Sequence, residues 1–115
     1  MQSTISISRG DIVLIDTLFS DWSGGKIRPS VVMSSGVYHR GRKDIVAASL
    51  TTRLNRRLAG IYILSDWANF GLYEPSATSG QILTAARSKV RRRIGHVSQR
   101  DLAGIEEALR QILGL

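Results

Sequence analysis

The chain has 115 residues, enough for one hydrophobic core, and with 43% hydrophobic and 22% charged residues it is too apolar to be disordered. It contains no cysteine, which excludes disulfides, thiolate zinc sites and cysteine nucleophiles, and two histidines are too few for a histidine-rich metal centre. The formal net charge is +7, and thirteen of the sixteen basic residues are arginines, whose planar guanidinium groups match phosphate. This composition points to a polyanionic partner, most simply a nucleic acid.

The chain shows no sign of a targeting segment or of an internal division. The first eight residues alternate apolar and hydroxyl side chains and lack the apolar core of a signal peptide. The longest apolar runs, such as residues 12–15 and 45–48, are too short to span a bilayer. We therefore expect residues 1–115 to form one domain of a cytoplasmic protein with no membrane partner.

Short β-rich runs follow one another through the first two thirds of the chain. Pro29 has no N–H for a ladder, so we expect it at the start of its strand. The loops between runs contain glycine or basic residues, as at 20–26 and 38–43. The predicted strands are 11–16, 30–34, 44–51, 60–64, one that begins at 80–84, and a short sixth at 93–97. Such strands predict a mostly β fold, a small and strongly curved SH3-like sheet or barrel.

Two helices are predicted beside the strands. Ser65 and Gly71 have the properties of an N-cap and a C-cap around a short helix, in which Trp67 and Phe70 pack inward.

The C-terminal helix has the stronger signal. Ser98 and Asp101 have the spacing of a capping box, and Glu106 and Arg110 lie one turn apart on the outer face. Apolar residues recur at spacings of three and four in Leu102, Ile105, Leu109 and Ile112.

Three clusters of basic residues, at 40–43, 53–57 and 87–93, have few acidic residues among them. All lie in predicted loops or at strand ends, where they can line a groove that follows a phosphate backbone. A solvated surface is the alternative for each cluster, but three clusters together favour RNA or DNA. The candidate backbone contacts are Arg53, Arg56, Arg57 and Arg87.

Two further residues have positions that suit chemistry. Arg28 stands between a glycine loop and an apolar strand, next to a proline that fixes the backbone. Its alternative role is a charged edge residue that prevents aggregation. Thr51 ends an apolar strand, where its hydroxyl would emerge at the edge of the sheet, although threonine is also an ordinary strand residue.

Three blocks of sequence carry a family resemblance. The blocks are residues 9–14, which begin Arg-Gly-Asp, residues 25–35, which contain Arg28-Pro29, and residues 44–51, which end at Thr51. In this order and spacing they resemble the MazF/PemK family of toxin endoribonucleases. Residues 81–84 and the closing helix resemble the last third of that family, so the resemblance covers nearly the whole chain.

The resemblance implies a small SH3-like barrel with helices, a homodimer, and metal-independent cleavage of single-stranded RNA with no cofactor. It also implies neutralisation by a cognate antitoxin, which we expect to carry an acidic, disordered segment. The catalytic arginine of the family falls on Arg28 and its catalytic threonine on Thr51.

The loop before Arg28 departs from the family pattern. Some members have a functional glutamate five residues before the arginine, where this chain has Ser23, and the nearest acid is Asp21. Trp22 in the same loop is a candidate to stack on an unpaired base, or else to pack against protein. Lys26, which ends the loop, is a further candidate for RNA binding.

Metal-free cleavage of RNA uses the 2′-hydroxyl of the substrate as nucleophile and needs donors aimed at the negative charge that develops on the phosphorus centre. Arg28 suits the role of electrostatic clamp, or of donor to the leaving 5′-oxygen, and is a poor base. His39 is a candidate base or RNA contact, or else a surface loop residue. His96, in an apolar stretch, is expected to be structural.

Two other functions remain open at this stage. The same barrel serves non-enzymatic toxins that bind and poison DNA gyrase, and a plain nucleic-acid-binding module would show the same basic clusters. Neither needs the pair formed by Arg28 and Thr51, so the presence of both residues favours the nuclease.

Overall fold

The computed structural model describes residues 6–18 and 25–115. In these residues it shows two helices, the single-turn α1 (Gly36–His39) and the C-terminal α2 (Gln99–Leu113), with 3₁₀ turns at Trp67–Phe70 and Arg87–Lys89. No helix in this part of the chain is long and apolar enough to cross a membrane. The strands are β1 (Asp11–Leu18), β2 (Gly25–Val32), β3 (Asp44–Thr51), β4 (Ala77–Ala86) and β5 (Val90–His96).

The five strands form one antiparallel sheet in the order β4-β3-β2-β1-β5. Within the described residues the sheet is open, with β4 and β5 as its edges. The register shifts twice between β1 and β5 and once between β3 and β4, and such bulges bend strands and increase their twist. The prediction of a mostly β fold with a C-terminal helix is therefore confirmed, and β3 has the predicted bounds.

Alternation along the strands gives the sheet two apolar faces. One face carries Ile12, Val31 and Leu50 and is covered by α2 through Ile105, with Phe70 of the 3₁₀ turn in the same cluster. Trp67 packs against this cluster, as the sequence predicts. The opposite face carries a second buried cluster of Val13, Ile15, Val32, Ile45, Ala47 and Val90.

Helix α2 begins as predicted, but its capping box is incomplete. Ser98 Oγ accepts the backbone N–H of Asp101 at 3.1 Å. The buried Asp101 carboxylate does not return to Ser98; it accepts the Tyr62 hydroxyl at 2.6 Å and the N–H groups of Ser65 and Asp66 at 2.9 and 3.1 Å. Burial disfavours ionisation, but these donors outweigh it and lower the pKa of Asp101. Asp101 therefore links the β3–β4 connection to α2 by hydrogen bonds.

The β3–β4 connection contains the main error in the predicted secondary structure. Residues 60–64 form an isolated bridge through Ile63 instead of a strand. The side chain of Thr78 takes the place of backbone hydrogen bonds between strands. Its Oγ1 accepts the Tyr62 N–H at 2.8 Å and donates to the Gly60 carbonyl at 2.7 Å. The β-rich composition of the segment does not reveal this competition from a threonine that lies far away in sequence.

A smaller prediction is also wrong. The loop predicted at 38–43 overlaps α1, because Ser35 Oγ accepts the Tyr38 N–H and starts a helical turn. Glu106 of α2 forms an ion pair with Arg9, from the segment before β1.

Candidate active site

An open cleft of about 590 Å³ lies between β2 and the end of β3. It brings together four of the predicted site residues, Arg28, Thr51, Arg53 and Arg56. Its described lining includes no acidic side chain, so the cleft offers donors and positive charge to an anion. Nowhere in residues 6–18 and 25–115 do three His, Asp or Glu side chains form a group that could hold a metal ion. The rest of the lining is Ile27, Pro29, Leu50, Thr52, Ser76, Ser79 and Gln81.

Strands β2 and β3 bring Arg28 and Thr51 to the same cleft. The last pair of the β2–β3 ladder is Ser30 with Ser49. Arg28 and Thr51 each lie two residues beyond this pair, on the side of their strands that also carries Ser30 and Ser49. A guanidinium and a hydroxyl are thus held on neighbouring strands, and both line the cleft.

Pro29 explains why the cleft opens at this point. The Val32 carbonyl accepts the Gly10 N–H at 2.7 Å, on the β1 side of the strand. Backbone groups alternate along a strand, so the Pro29 nitrogen faces β3, where it has no N–H to donate. The prediction that Pro29 starts its strand is wrong, because β2 already begins at Gly25. The strand tolerates the proline because its β3 ladder ends at Ser30.

The hydroxyl of Thr51 shapes the turn that follows β3. The Arg53 N–H donates to Thr51 Oγ1 at 3.2 Å, which bends the chain out of the strand. This bond uses a lone pair of Oγ1 and leaves the hydroxyl proton able to donate to a bound group. The same turn brings Thr52 and Arg53, both exposed, to the rim of the cleft.

Strand β4 supplies a wall that the sequence reasoning missed. The register of β3 with β4 shifts between Ala48 and Leu50, which leaves extra residues of β4 in a bulge. Gly80 lies in this bulge with a φ of +90°, a conformation that side chains other than glycine rarely adopt. Ser79 and Gln81 flank it and line the cleft. The glycine that opens the predicted strand is the signal that could have indicated the bulge.

The other predicted RNA contacts near this cleft differ in position. Arg57 is exposed but does not line the cleft, in contrast to its neighbour Arg56. Lys26 lies in β2, where the structure describes its backbone alone. Trp22 and the loop positions 21 and 23 lie outside the described residues.

His39 and Arg87 lie at the other end of β3, next to Asp44, and not in the cleft. We call the group formed by Ser34, His39, Asp44 and Arg87 the distal end of β3. The eight residues of β3 separate it from Thr51 by ~23 Å at the usual rise of a strand. The Arg87 N–H donates to the Lys43 carbonyl at 2.7 Å and ties the end of β4 to the loop before β3.

The distal end is closed by its own hydrogen bonds. Ser34 Oγ lies 2.6 Å from His39 Nε2 and accepts the Val46 N–H at 3.0 Å. The Tyr38 hydroxyl donates to Asp44 Oδ2 at 2.9 Å. Burial and the charge of Arg87 lower the pKa of His39, against a smaller opposing effect of Asp44. The geometry therefore does not bring His39 to Arg28 and Thr51 as a base.

The third basic cluster lies largely within β5, and not in a loop or at a strand end as predicted. Arg91 Nε lies 2.7 Å from Asp16 Oδ2, and Arg93 Nε lies 2.9 Å from Asp11 Oδ1. His96 Nδ1 contacts the same Asp11 oxygen at 2.8 Å. Two of these arginines thus connect β5 to β1, and His96 takes part in the same structural group.

A protein-family model described as PemK-like, MazF-like toxin of type II toxin-antitoxin system matches residues 8–113. A comparison with curated protein sequences gives no match.

Solved structures of toxins share the fold over almost their whole length. An endoribonuclease in complex with its cognate antitoxin, from a mycobacterial species, has a TM-score of 0.78 and 23% identity, over 96% of this chain and 97% of that chain. The Mycobacterium tuberculosis toxin MazF-mt6 has a TM-score of 0.71 and 22% identity, over 90% of this chain and 97% of that chain. A structure of MazE-MazF from Deinococcus radiodurans has a TM-score of 0.76 and 20% identity, over 96% of this chain and 99% of that chain.

The family match spans all the strands, the cleft and the whole of α2, and the three blocks of sequence that carry the resemblance lie within it. The open antiparallel sheet with its C-terminal helix is the fold of the matched toxins. The chain therefore belongs to the family of PemK-like, MazF-like toxins of type II toxin-antitoxin systems.

Proposed function

We propose that this toxin is an endoribonuclease that cleaves single-stranded RNA without a metal ion. The observation that carries the proposal is the cleft that Arg28 and Thr51 line together with Arg53 and Arg56. Mycobacterial endoribonucleases among the similar structures support it through the shared fold. The homodimer that the family resemblance implies is part of the proposal, and light scattering during gel filtration measures it.

The proposed reaction is an in-line transesterification. The 2′-hydroxyl loses its proton to solvent as its oxygen attacks the adjacent phosphorus. The bond from phosphorus to the 5′-oxygen breaks and that oxygen takes up a proton, so the products end in a 2′,3′-cyclic phosphate and a 5′-hydroxyl. The transition state gathers negative charge on the phosphoryl oxygens, so positioned donors stabilise it more than they stabilise the substrate. Arg28 supplies a charged planar fork, and Thr51 supplies a hydroxyl whose oxygen is already fixed by the Arg53 N–H.

Residues at the rim of the cleft bind the substrate. Arg53 and Arg56 are exposed and carry the charge that holds the phosphates on either side of the reacting one. Ser79 and Gln81, on the opposite wall, offer a hydroxyl and an amide to bases and sugars. Charge supplies affinity for any sequence, whereas these neutral donors and acceptors supply selectivity.

We further propose that a cognate antitoxin blocks the same cleft with an acidic, disordered segment that becomes ordered on binding. The cleft also exposes an apolar residue, Ile27, about half of whose surface is accessible, as an anchor for such a segment. Charged contacts would speed association and apolar contacts would set the lifetime of the complex. Titration of the antitoxin against labelled, uncleavable RNA tests this; a stable ternary complex with unchanged RNA affinity contradicts competition.

The decisive experiment incubates the purified toxin with single-stranded RNA in excess EDTA and identifies the fragment ends. We expect 2′,3′-cyclic phosphates, and no cleavage at a site whose 2′-hydroxyl is replaced by hydrogen. Thr51→Ala, prepared in the same way, is the control for a contaminating nuclease. Cleavage that survives the 2′-deoxy substitution contradicts the mechanism.

The same samples separate the alternative functions. Inhibition of DNA gyrase supercoiling without RNA cleavage would indicate a gyrase poison of the same fold. Tight RNA binding without cleavage or gyrase inhibition would indicate a plain binding module. Either result overturns the proposed nuclease.

A further inference from the structure

We propose that the open edge of β4, residues 82–86, binds a second copy of this chain strand to strand, and that the partner's Arg87 thereby joins the cleft beside Gln81. Because the homodimer is part of the proposed function, the assignment of this surface to it rests on that proposal. Three observations carry the assignment: unpaired backbone groups along the open edge, the absence of charge there, and the places of Gln81 and Arg87 at its two ends.

The backbone groups of the open edge point away from the rest of the sheet. The Val46 carbonyl accepts the Met33 N–H at 2.9 Å, so the backbone groups of Val46 face β2. The residue paired with Val46 on β4 is Thr84, which therefore turns its N–H and carbonyl away from β3. Backbone groups alternate along a strand, so those of Ile82 and Ala86 point outward as well.

The first half of β4 is covered on the same side. The Thr78 N–H donates to the Tyr62 carbonyl at 2.9 Å, and Ile63 forms a bridge with Ala77. The part of the chain that the structure describes provides no such neighbour for the open edge. Its donors and acceptors are therefore available to another strand.

The open edge also lacks the usual protection against pairing with another chain. Charged side chains and prolines commonly protect edge strands in this way. Strand β5, the other edge of the sheet, carries three arginines at 91–93. The segment 76–86 contains neither a charged residue nor a proline. The two edges thus differ, and β4 is the one suited to association.

The absence of charge favours a second copy of the chain as the occupant. With a net charge of +7, two copies repel each other unless the surfaces that meet are neutral. An acidic partner would gain no charged contact at the open edge, whereas the basic cleft attracts it. Ile112 of α2, more than a third of which is exposed, adds apolar surface nearby, since Gly60 lies close to both Ile112 and Gly80 of β4.

A two-fold axis at Thr84 pairs all the outward-facing residues of the open edge. In this antiparallel pairing Thr84 faces the partner's Thr84, and Ile82 faces the partner's Ala86. Gln81 precedes Ile82, and Arg87 follows Ala86. Each lies three residues from Thr84, so Gln81 and the partner's Arg87 become neighbours on one face of the joined sheet.

This pairing gives Arg87 a place in catalysis that its own protomer does not. Within one protomer Arg87 lies at the distal end of β3, where its N–H donates to the Lys43 carbonyl at 2.7 Å and keeps it in line with β4. Gln81 is exposed and lines the cleft. The partner's Arg87 therefore adds a guanidinium to the β4 wall of the cleft, where it can bind a phosphate of the RNA.

A cross-linking experiment tests the pairing without RNA. The chain has no cysteine, so Gln81→Cys and Arg87→Cys proteins can be mixed, allowed to exchange subunits and oxidised. We expect a disulfide between unlike chains, because facing Cα atoms of an antiparallel pair lie about 4.5–5.5 Å apart, within reach of a disulfide. Asn69→Cys, at an exposed position beside β5, replaces Arg87→Cys in the control mixture. Cross-linking no faster than in the control, or than in either variant alone, overturns the pairing.

A charge placed on the axis tests the surface. Thr84→Lys puts two ammonium groups opposite each other and should raise the dissociation constant of the dimer by at least about tenfold. Asn69→Lys adds the same charge near the other edge and should leave it unchanged, and Thr84→Val should retain the dimer. Sedimentation equilibrium measures the three constants, and circular dichroism checks the fold. Equal dissociation constants for the two lysine variants overturn the assignment of this surface, even where a homodimer exists.

Mixed dimers test the contribution of Arg87. Arg87→Ala should raise the KM for RNA, and an excess of Arg28→Ala should lower it again, because the mixed dimer has one cleft with both Arg28 and the partner's Arg87. The doubly substituted Arg28→Ala/Arg87→Ala chain is the matched control and should give no rescue. Absence of rescue by Arg28→Ala overturns the role of Arg87 across the interface. If the unsubstituted toxin does not cleave RNA, the proposed nuclease fails, and the cross-link alone decides whether Arg87 reaches the partner's cleft.

Discussion

The cleft and the distal end of β3 are both basic, but the fold holds their side chains in different ways. In the cleft, the β2–β3 ladder has ended at Ser30, and the backbones of the two strands bring Arg28 and Thr51 to the opening beyond it. At the distal end, the side chains hold one another: Ser34 contacts His39, and Tyr38 and Asp44 form a second bond beside them.

The difference separates chemistry from attachment. Donors fixed by backbone register keep their direction when substrate charge changes, which is the requirement for stabilising a transition state. A network whose members already bond one another is rigid but has few groups left to follow a reaction. We therefore expect substitutions in the cleft to change the rate of the chemical step, and substitutions at the distal end to change binding.

The largest expected effect is that of Arg28→Ala on RNA cleavage. Loss of one preorganised donor to the developing charge lowers kcat by about 10²–10³-fold. Arg28→Lys should also lose most activity, because a point charge does not replace the planar fork. Single-turnover cleavage of one RNA, with thermal unfolding to check the fold, measures both.

The comparison needs two further variants in the same assay. Arg87→Ala, at the distal end, should raise KM more than it lowers kcat, and Arg92→Ala on β5 is the control for loss of an exposed arginine. Equal losses of kcat for Arg28→Ala and Arg87→Ala would show that the two ends of β3 do not differ as proposed.

The next largest expected effect is the loss of folding stability when either of two glycines, one near each end of β3, is replaced by alanine. Gly80 lies in the β4 bulge with a φ of +90°, and Gly41 lies in the loop before β3 with a φ of +71°. An alanine methyl group at either position would have no neighbouring atom within 4 Å, so the substitution meets backbone strain without a clash. Each Gly→Ala change should cost about 1–2 kcal/mol of folding free energy. Urea unfolding measures this cost.

These two variants should differ in activity despite their similar instability. Gly80 sets the positions of Ser79 and Gln81 in the cleft wall, whereas Gly41 has no part in the cleft. Gly80→Ala should therefore lower cleavage further than Gly41→Ala at a temperature where both are folded. Matching losses would mean that the bulge serves stability alone.

The two ends also differ in how far the sequence predicted them. The β-rich run of residues 44–51 predicted the bounds of β3, and the sequence blocks that contain Arg28-Pro29 and Thr51 identified this pair as the candidate site. These signals are local, because each depends on a few consecutive residues. The separation of His39 from Thr51 was not predicted, since it depends on which end of β3 each loop joins.

The parts that were missed depend on contacts distant in sequence. The bulge around Gly80 requires knowledge of the register of β4 on β3, and the failure of 60–64 to form a strand depends on the Thr78 hydroxyl. The Asp101 carboxylate likewise bonds Tyr62 in place of its predicted partner in the capping box. In each case a side chain from another element outweighs the local preference.

A smaller effect distinguishes two adjacent arginines. Arg56 lines the cleft and Arg57 does not, although both are exposed. Arg56→Gln should lower the salt slope of RNA affinity by about 0.7, the value for one phosphate on a single strand, and Arg57→Gln should leave it nearly unchanged. Fluorescence anisotropy with an uncleavable RNA at several salt concentrations measures the slopes. Equal slopes for the two variants would mean that this loop contributes general charge instead of a defined contact.

The smallest expected effect is the pH dependence of stability from the distal end. Burial and the charge of Arg87 lower the folded-state pKa of His39 below its unfolded value of about 6.5, so the unfolded chain binds the proton more readily. The stabilisation that neutral His39 contributes to the folded state is therefore fully present above pH 6.5 and is lost as the pH falls through the folded-state pKa.

His39→Gln removes this titration, so the free energy of unfolding should decline less between pH 7.5 and 5 than in the unsubstituted protein. The buried carboxylates Asp11 and Asp101 have lowered pKa values and titrate below this range, so they leave the comparison intact. Parallel pH curves for the two proteins, measured by urea unfolding, would show that His39 is not held neutral by its contacts at the distal end.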